Sequence, residues 1–250
     1  MPLKLSSGKS KFPSRICVYG VGGIGKTTLA TLAPAPAFID ADDGSGALDV
    51  QRVNYGTESA PIYVPPTLAD FYATLDALLT EKHDRKTLVV DTLDAIEALV
   101  QKHVCDKEKM TPGEYNDYGR GTKFAIKEWR QIIAKLSELR NKRSMHILLL
   151  GHYVISDFKN PAGLDYQRFT GKLEKAPWKL FYDWCDVVAF AQFEDLAGKN
   201  PNDGRVRGVS TDRRYMSTKH CAAWDAKSRG EVDEEIEMNK DAWKKLNGEE

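Results

Sequence analysis

The stretch Gly20-Val21-Gly22-Gly23-Ile24-Gly25-Lys26-Thr27 places a lysine and a hydroxyl directly after a loop that opens and closes on glycine. Backbone of this kind can curl until successive N–H groups point at one anion, and a helix beginning at the lysine adds the positive end of its dipole. The lysine then reaches the β and γ oxygens of a nucleoside triphosphate, and the hydroxyl of Thr27 suits Mg²⁺. Thr28 completes the cradle. The apolar run Ile16–Tyr19 reads as a strand feeding the loop, and Thr27-Thr-Leu-Ala as the start of a helix, which is the context the loop needs. A second apolar run, Thr87-Leu-Val-Val-Asp91, ends in a carboxylate placed to hold the magnesium's water shell.

Three more carboxylates follow an apolar pair in Phe38-Ile-Asp-Ala-Asp-Asp-Gly. Hydrolysis of a triphosphate needs a carboxylate to orient water in line with the γ-phosphate, and Asp42 is the candidate. Asp40 follows the run directly and reads as structural, Asp43 as a turn residue. The alternative is that all three only shape the loop before Gly44. The run His146-Ile-Leu-Leu-Leu150 ends in Gly151-His152. In phosphate-loop ATPases with a strand added between the loop strand and the magnesium strand, that tip faces the γ-phosphate. His152 is therefore a candidate sensor, or else a plain surface residue at a strand end.

Positioning these groups requires a sheet. Five runs, Ile16–Tyr19, Ala37–Ile39, Thr87–Val90, His146–Leu150 and Val187–Phe193, are short and apolar without alternation, as in strands buried on both faces of a parallel sheet. Thr67 and Asp70 resemble a capping box that opens a helix with Leu68, Phe71, Leu75 and Leu78 on one face. Ala125, Trp129, Ile132, Ile133 and Leu136 mark a longer helix whose basic end, Leu139–Arg143, suits a helix C-terminus. Strands alternating with helices predict an α/β fold with a mostly parallel central sheet and ligands at the strands' carboxyl ends. The segment 156–180, with Pro161, Gly163, Gly171 and Pro177, reads as an irregular connection. Arg205–Val209 and Arg214–Thr218 read as short strands of a C-terminal β extension, and residues beyond about 238 are expected to fray.

The chain has 250 residues and is 42% hydrophobic, enough for one sizeable domain. Its 36 Lys and Arg balance 36 Asp and Glu, which argues against coating nucleic acid by bulk charge. Locally the balance breaks: an arm at 1–14 carries Lys4, Lys9 and Lys11 without an acid, whereas 231–250 is acidic. The expected organisation is the basic arm 1–14, a core at 15–238 and a tail at 239–250. Cys17, Cys105, Cys185 and Cys221 form no C-x-x-C, so no zinc pattern is present. No membrane-length apolar run or signal pattern occurs, and the expectation is a cytoplasmic protein with no membrane partner.

Together these residues resemble the RecA-like P-loop NTPases. FIDADDGSGALD is similar to the RecA segment F-I-D-A-E followed by A-L-D, in which the Glu is the catalytic base. Asp42 stands in its place, one methylene shorter. The resemblance is closer to phage-encoded, core-only RecA-like ATPases, the Sak-type single-strand-annealing and recombination proteins. It rests on the loop, LVVDTLD, the helix Phe124–Leu139, the Gly-His strand end, WCDVVAFAQFE and DRRYMSTKHCAAWDAKSRGEVDEEIEM, and spans roughly residues 14–238. It implies ATP with Mg²⁺, self-association into a filament or ring, and single-stranded DNA as partner, with a single-strand-binding protein as a further one. It also implies that Lys227 and Arg229 reach the ATP of a neighbouring subunit; without it they would read as ordinary exposed ion-pairing residues. Such proteins carry a DNA-binding loop after the sensor strand, which here holds Lys159, Arg168, Phe169, Lys172 and Lys175. A small-molecule or nucleotide kinase, and a non-catalytic nucleotide-gated scaffold, are the rival readings.

Overall fold

The computed structural model describes residues 12–199 and 206–248, with the isolated positions 5, 7 and 8. Lys4, Lys9 and Lys11 of the basic arm lie outside the described residues. All five apolar runs are strands: β1 (Arg15–Gly20), β2 (Pro36–Asp40), β3 (Thr87–Asp91), β4 (His146–Gly151) and β7 (Val187–Lys199). They pair in parallel in the order β7-β1-β4-β3-β2. Thus β4 is inserted between the loop strand and the strand ending in Asp91. The register sets Tyr19 beside Gly151, Gly20 beside Ala191 and Asp40 beside Asp91, so the candidate groups collect along one carboxyl edge.

Alternate strand residues feed two cores. One face, with Cys17, Tyr19, Ile39, Val90, Leu149 and Phe190, packs against α2 (Leu68–Thr80), α3 (Leu93–Glu108), the short α4 (Pro112–Asn116), α5 (Arg120–Arg143) and α6 (Lys175–Trp184). The other face, with Ile16, Val18, Phe38, Val89 and Leu148, meets α1 (Lys26–Ala30) and α7 (Ala242–Leu246). The Thr67 hydroxyl accepts the Asp70 N–H at 3.2 Å and caps α2. Burying apolar side chains on both faces is what allows strands without alternation to lie in the middle of the sheet. Among the described residues no helix is long and apolar enough to cross a membrane.

Three expectations need correction. The segment 156–180 is not irregular: β5 (Tyr153–Phe158) and β6 (Tyr166–Gly171) form an antiparallel hairpin, and α6 follows. Its alternation is hidden because aromatic and polar residues share both faces. The two short strands expected after 205 are one strand, β8 (Val206–Ser217), antiparallel to β7, with a register shift between Phe193 and Asp195 and β10 (Glu235–Glu237) outside it. The chain beyond 238 does not fray throughout. In α7, Trp243 and Leu246 are buried, and Trp243 meets the His146 ring edge-on at 5.5 Å. Two large apolar side chains suffice to dock so short a helix.

Candidate functional site

The loop between β1 and α1 has the backbone its glycines permit. Gly25 sits at φ 99, a left-handed conformation that costs a side-chain-bearing residue energy. At Gly20 a Cβ would lie 2.1 Å from the Ala191 carbonyl oxygen, so only glycine lets β1 pass β7 into the loop. Ile24 is buried and anchors the loop in the second core, whereas Gly22 and Gly23 are exposed, Val21 is half-buried and Thr28 is exposed on the first turn of α1.

Lys26 is buried, and its Nζ donates to the carbonyls of Gly20 at 3.2 Å and Val21 at 2.9 Å. Burial pushes its pKa down, while Asp91, Asp94 and Asp42 pull it up. Thr27 Oγ1 donates to Asp91 Oδ2 at 2.7 Å. Asp91 is buried at the end of β3, and that burial pushes its pKa up to about 6 against the Thr27 hydrogen bond. A hydroxyl and a carboxylate this close form a hard-oxygen pair that suits Mg²⁺. Among the described residues no group of three or more His, Cys, Asp or Glu is arranged to hold a metal. The pair therefore fits an ion that shares its shell with water and phosphate rather than a protein cage.

The three aspartates after β2 separate by environment. Asp40 is buried and accepts N–H bonds from Gly44 and Ser45, each at 3.0 Å, with the Arg52 Nε 3.9 Å away. It shapes the loop. Asp43 takes a positive φ of 52, as a turn residue does. Asp42 is exposed, its backbone N–H donates to the Asp91 carbonyl at 3.2 Å, and its charge acts on both Lys26 and Asp91. Lys26, Thr27, Asp42 and Asp91 are thus brought together at one edge.

His152 follows β4 and is held by Asp94, near the start of α3: the backbone N–H reaches Oδ1 at 3.0 Å and Nδ1 lies 2.9 Å from Oδ2. The Lys172 N–H donates to the His152 carbonyl at 2.8 Å, and Lys172 Nζ stands 3.7 Å from Asp94. The two ends of the hairpin are thereby closed on a single carboxylate. Next to it, Glu97 accepts the Glu174 N–H at 2.9 Å, and burial pushes the Glu97 carboxyl up to about 7.

Other candidates lie elsewhere. Arg168 turns inward, ion-paired with Asp225 and only 10% exposed, and its Nε has no hydrogen-bond partner among the described residues. Phe169 stacks on Phe190 at 5.1 Å within a cluster that includes Tyr153 and Trp224. Lys159, Lys172 and Lys175 are exposed. Lys227 opens β9 (Lys227–Ser228), which pairs with Val187 and Val188 at the amino-terminal edge of the sheet, away from the loop. Lys227 Nζ donates to the Asp183 carbonyl at 3.2 Å and Arg229 bonds the same carbonyl, so both cap the end of α6.

Sequence reading passed over Asp94, Glu97 and Arg214. Asp94 had a signal, since it lies three residues beyond Asp91 and is the acid in the first turn of α3. Glu97 and Arg214 had none, because their surroundings come from distant segments. Arg214, on β8, donates from Nη1 to the Ile24 carbonyl at 3.3 Å.

A glycine cradle at a strand end, opposed by an acid on the strand two places away, defines a phosphate-loop NTPase of mixed α/β fold. The chain belongs to the AAA domain family, which matches residues 13–230, and is on that footing a phosphate-loop ATPase by class. Among solved structures, the crystal structure of the RadB recombinase is similar at 15% identity and a TM-score of 0.43, covering 82% of this chain and 80% of that one. No curated protein matches the sequence.

Proposed function

We propose that the protein is an ATP-hydrolysing recombination protein that binds single-stranded DNA and works as an oligomer. The reading carries with it the phage-encoded, Sak-type origin that the sequence resembles, and hence the host cytoplasm as its place of action. The observation that carries the ATPase part is the pairing of Thr27 with Asp91 at 2.7 Å beside the buried Lys26. When bound, Mg²⁺ neutralises charge that develops on the phosphates. Lys26 exchanges the carbonyls of Gly20 and Val21 for phosphate oxygens, Thr27 and Asp91 hold the metal's shell, and Asp42 orients water and takes up its proton. His152 reads the γ-phosphate, and Lys227 and Arg229 serve the site of a neighbouring copy.

The DNA reading draws support from the surface beside His152. Lys172 is exposed next to His152, Lys159 at the tip of the hairpin and Lys175 and Lys179 on α6, and a groove of about 380 Å³ between the hairpin and α6 is lined by Phe158, Tyr182 and the edge of the buried Trp178. Cations that track phosphates beside rings that stack on bases suit single strands.

Turnover of ATP with Mg²⁺, measured with and without single-stranded DNA, tests the whole reading. Free phosphate is the expected product, DNA raises the rate, and Asp42→Asn lowers it about a hundredfold or more, as the loss of a general base does. Wild-type turnover in Asp42→Asn would remove the catalytic assignment, and a phosphorylated acceptor in place of free phosphate would identify a kinase.

A further inference from the structure

The side chains around the loop lean acidic for a site that would hold a polyphosphate. Lys26 is the loop's own cation, yet Asp42, Asp91 and Asp94 all act on it. Asp94 is occupied by His152 and Lys172, but Asp42 and Asp91 remain against a single ammonium. A nucleoside triphosphate brings more negative charge than one Mg²⁺ removes. A further cation within reach would stabilise it.

Arg213 and Arg214 are adjacent on β8 and point to opposite faces, as neighbours in a strand do. Arg213 is satisfied: it pairs with Glu194 at 3.0 Å and Glu235 at 2.6 Å. Arg214 is exposed and has no carboxylate partner among the described residues, only the single 3.3 Å bond to Ile24. Its Nη1 would lie 2.9 Å from a Cβ built on Gly25, so the guanidinium rests against the loop immediately before Lys26. The long β7–β8 pairing puts it there, with Arg214 in register with Phe193.

We propose that Arg214 is a nucleotide-binding residue supplied in cis, its guanidinium leaving or sharing the Ile24 carbonyl to pair with the nucleotide's phosphates. The proposal rests on reading the loop as a nucleotide site. It differs from the roles given to Lys227 and Arg229 because it needs no second copy. Arginine suits the task, since its planar fork donates two bonds to phosphate while staying charged.

The test is equilibrium binding of ATP and of ADP to the full chain at several salt concentrations, for wild type and for Lys26→Ala, Arg213→Ala, Arg214→Ala, Arg214→Gln and Arg214→Lys. Losing a charge-assisted hydrogen bond predicts about tenfold or more weaker binding in Arg214→Ala and in Arg214→Gln. Arg214→Lys should recover most of the affinity, the salt dependence should flatten in the Ala and Gln variants, and Arg213→Ala should match wild type. Recovery by Gln, which keeps a donor to Ile24 but no charge, would overturn the proposal in favour of a loop brace. Wild-type binding in Arg214→Ala alongside lost binding in Lys26→Ala would overturn it and leave the nucleotide site standing. Failure of the wild-type protein to bind either nucleotide would overturn both.

Discussion

His152 and Asp94 are joined twice, once through the His152 backbone N–H at 3.0 Å and once through Nδ1 at 2.9 Å. The carboxylate of Asp94 stays below the usual range because His152 hydrogen-bonds it and Lys172 stands nearby, although burial acts the other way. Since the Lys172 N–H closes on the His152 carbonyl, Asp94 fastens both ends of the β5–β6 hairpin to the start of α3. A phosphate drawing His152 or Lys172 away from Asp94 would loosen the hairpin where it leaves the sheet.

Asp94→Ala should therefore free the hairpin without unfolding the core. Removing a partly buried acceptor of several bonds costs roughly 1–3 kcal/mol locally, so amide exchange across residues 153–171 should accelerate about tenfold or more. Exchange in β1 and β4 should stay slow. In the same variant, the affinity for single-stranded DNA should cease to depend on nucleotide. Unchanged exchange in the hairpin would show that Asp94 does not hold it.

Asp91 makes a pH prediction whose sign follows from its burial. Its pKa rises from 3.8 to about 6 on folding, so between those values the folded chain holds the proton more tightly than the unfolded chain does. Stability accordingly falls as pH rises through that window, and the full penalty stands above about 6. Glu97, pushed up to about 7, acts in the same direction. Asp91→Asn removes the charge and keeps an oxygen for Thr27. We expect it to raise nucleotide-free stability at pH 7.5 by about 2 kcal/mol, several degrees in melting temperature. Near pH 4 the two proteins should melt alike. Magnesium-dependent turnover should be lost, and a variant melting below wild type at pH 7.5 would refute the account.

The sheet was legible because its strands are buried on both faces: Thr87–Val90 and His146–Leu150 carry the signal in apolar content alone. The loop and Asp91 were legible because their chemistry is local or lies at a strand's end. The hairpin was hidden since both its faces mix aromatic and polar residues, and the Tyr153, Phe169 and Trp224 that pack together come from three separate segments, so no single window shows an alternating pattern. The same distance concealed the docking of Trp243 beside His146. Arg214 escaped notice because its proximity to Ile24 depends on the β7–β8 register, which no sequence spacing encodes.

Lys227 and Arg229 cap α6 at the edge of the sheet remote from the loop, so any part they play in hydrolysis must be played in another copy's site. That geometry makes a mixing experiment decisive. Lys26→Ala lacks a working loop but still offers Arg229 to a neighbour, and Arg229→Ala has the converse defect. Each alone should turn over ATP about a hundredfold or more slowly than wild type, the scale of losing a trans arginine. In an equimolar mixture of head-to-tail assemblies, about a quarter of the interfaces pair an intact loop with an intact Arg229. Turnover should therefore recover to a comparable fraction of wild type and fall again on dilution. If no ratio of the two variants restores activity while each still associates, the basic pair belongs to the helix end it caps and not to a neighbour's nucleotide.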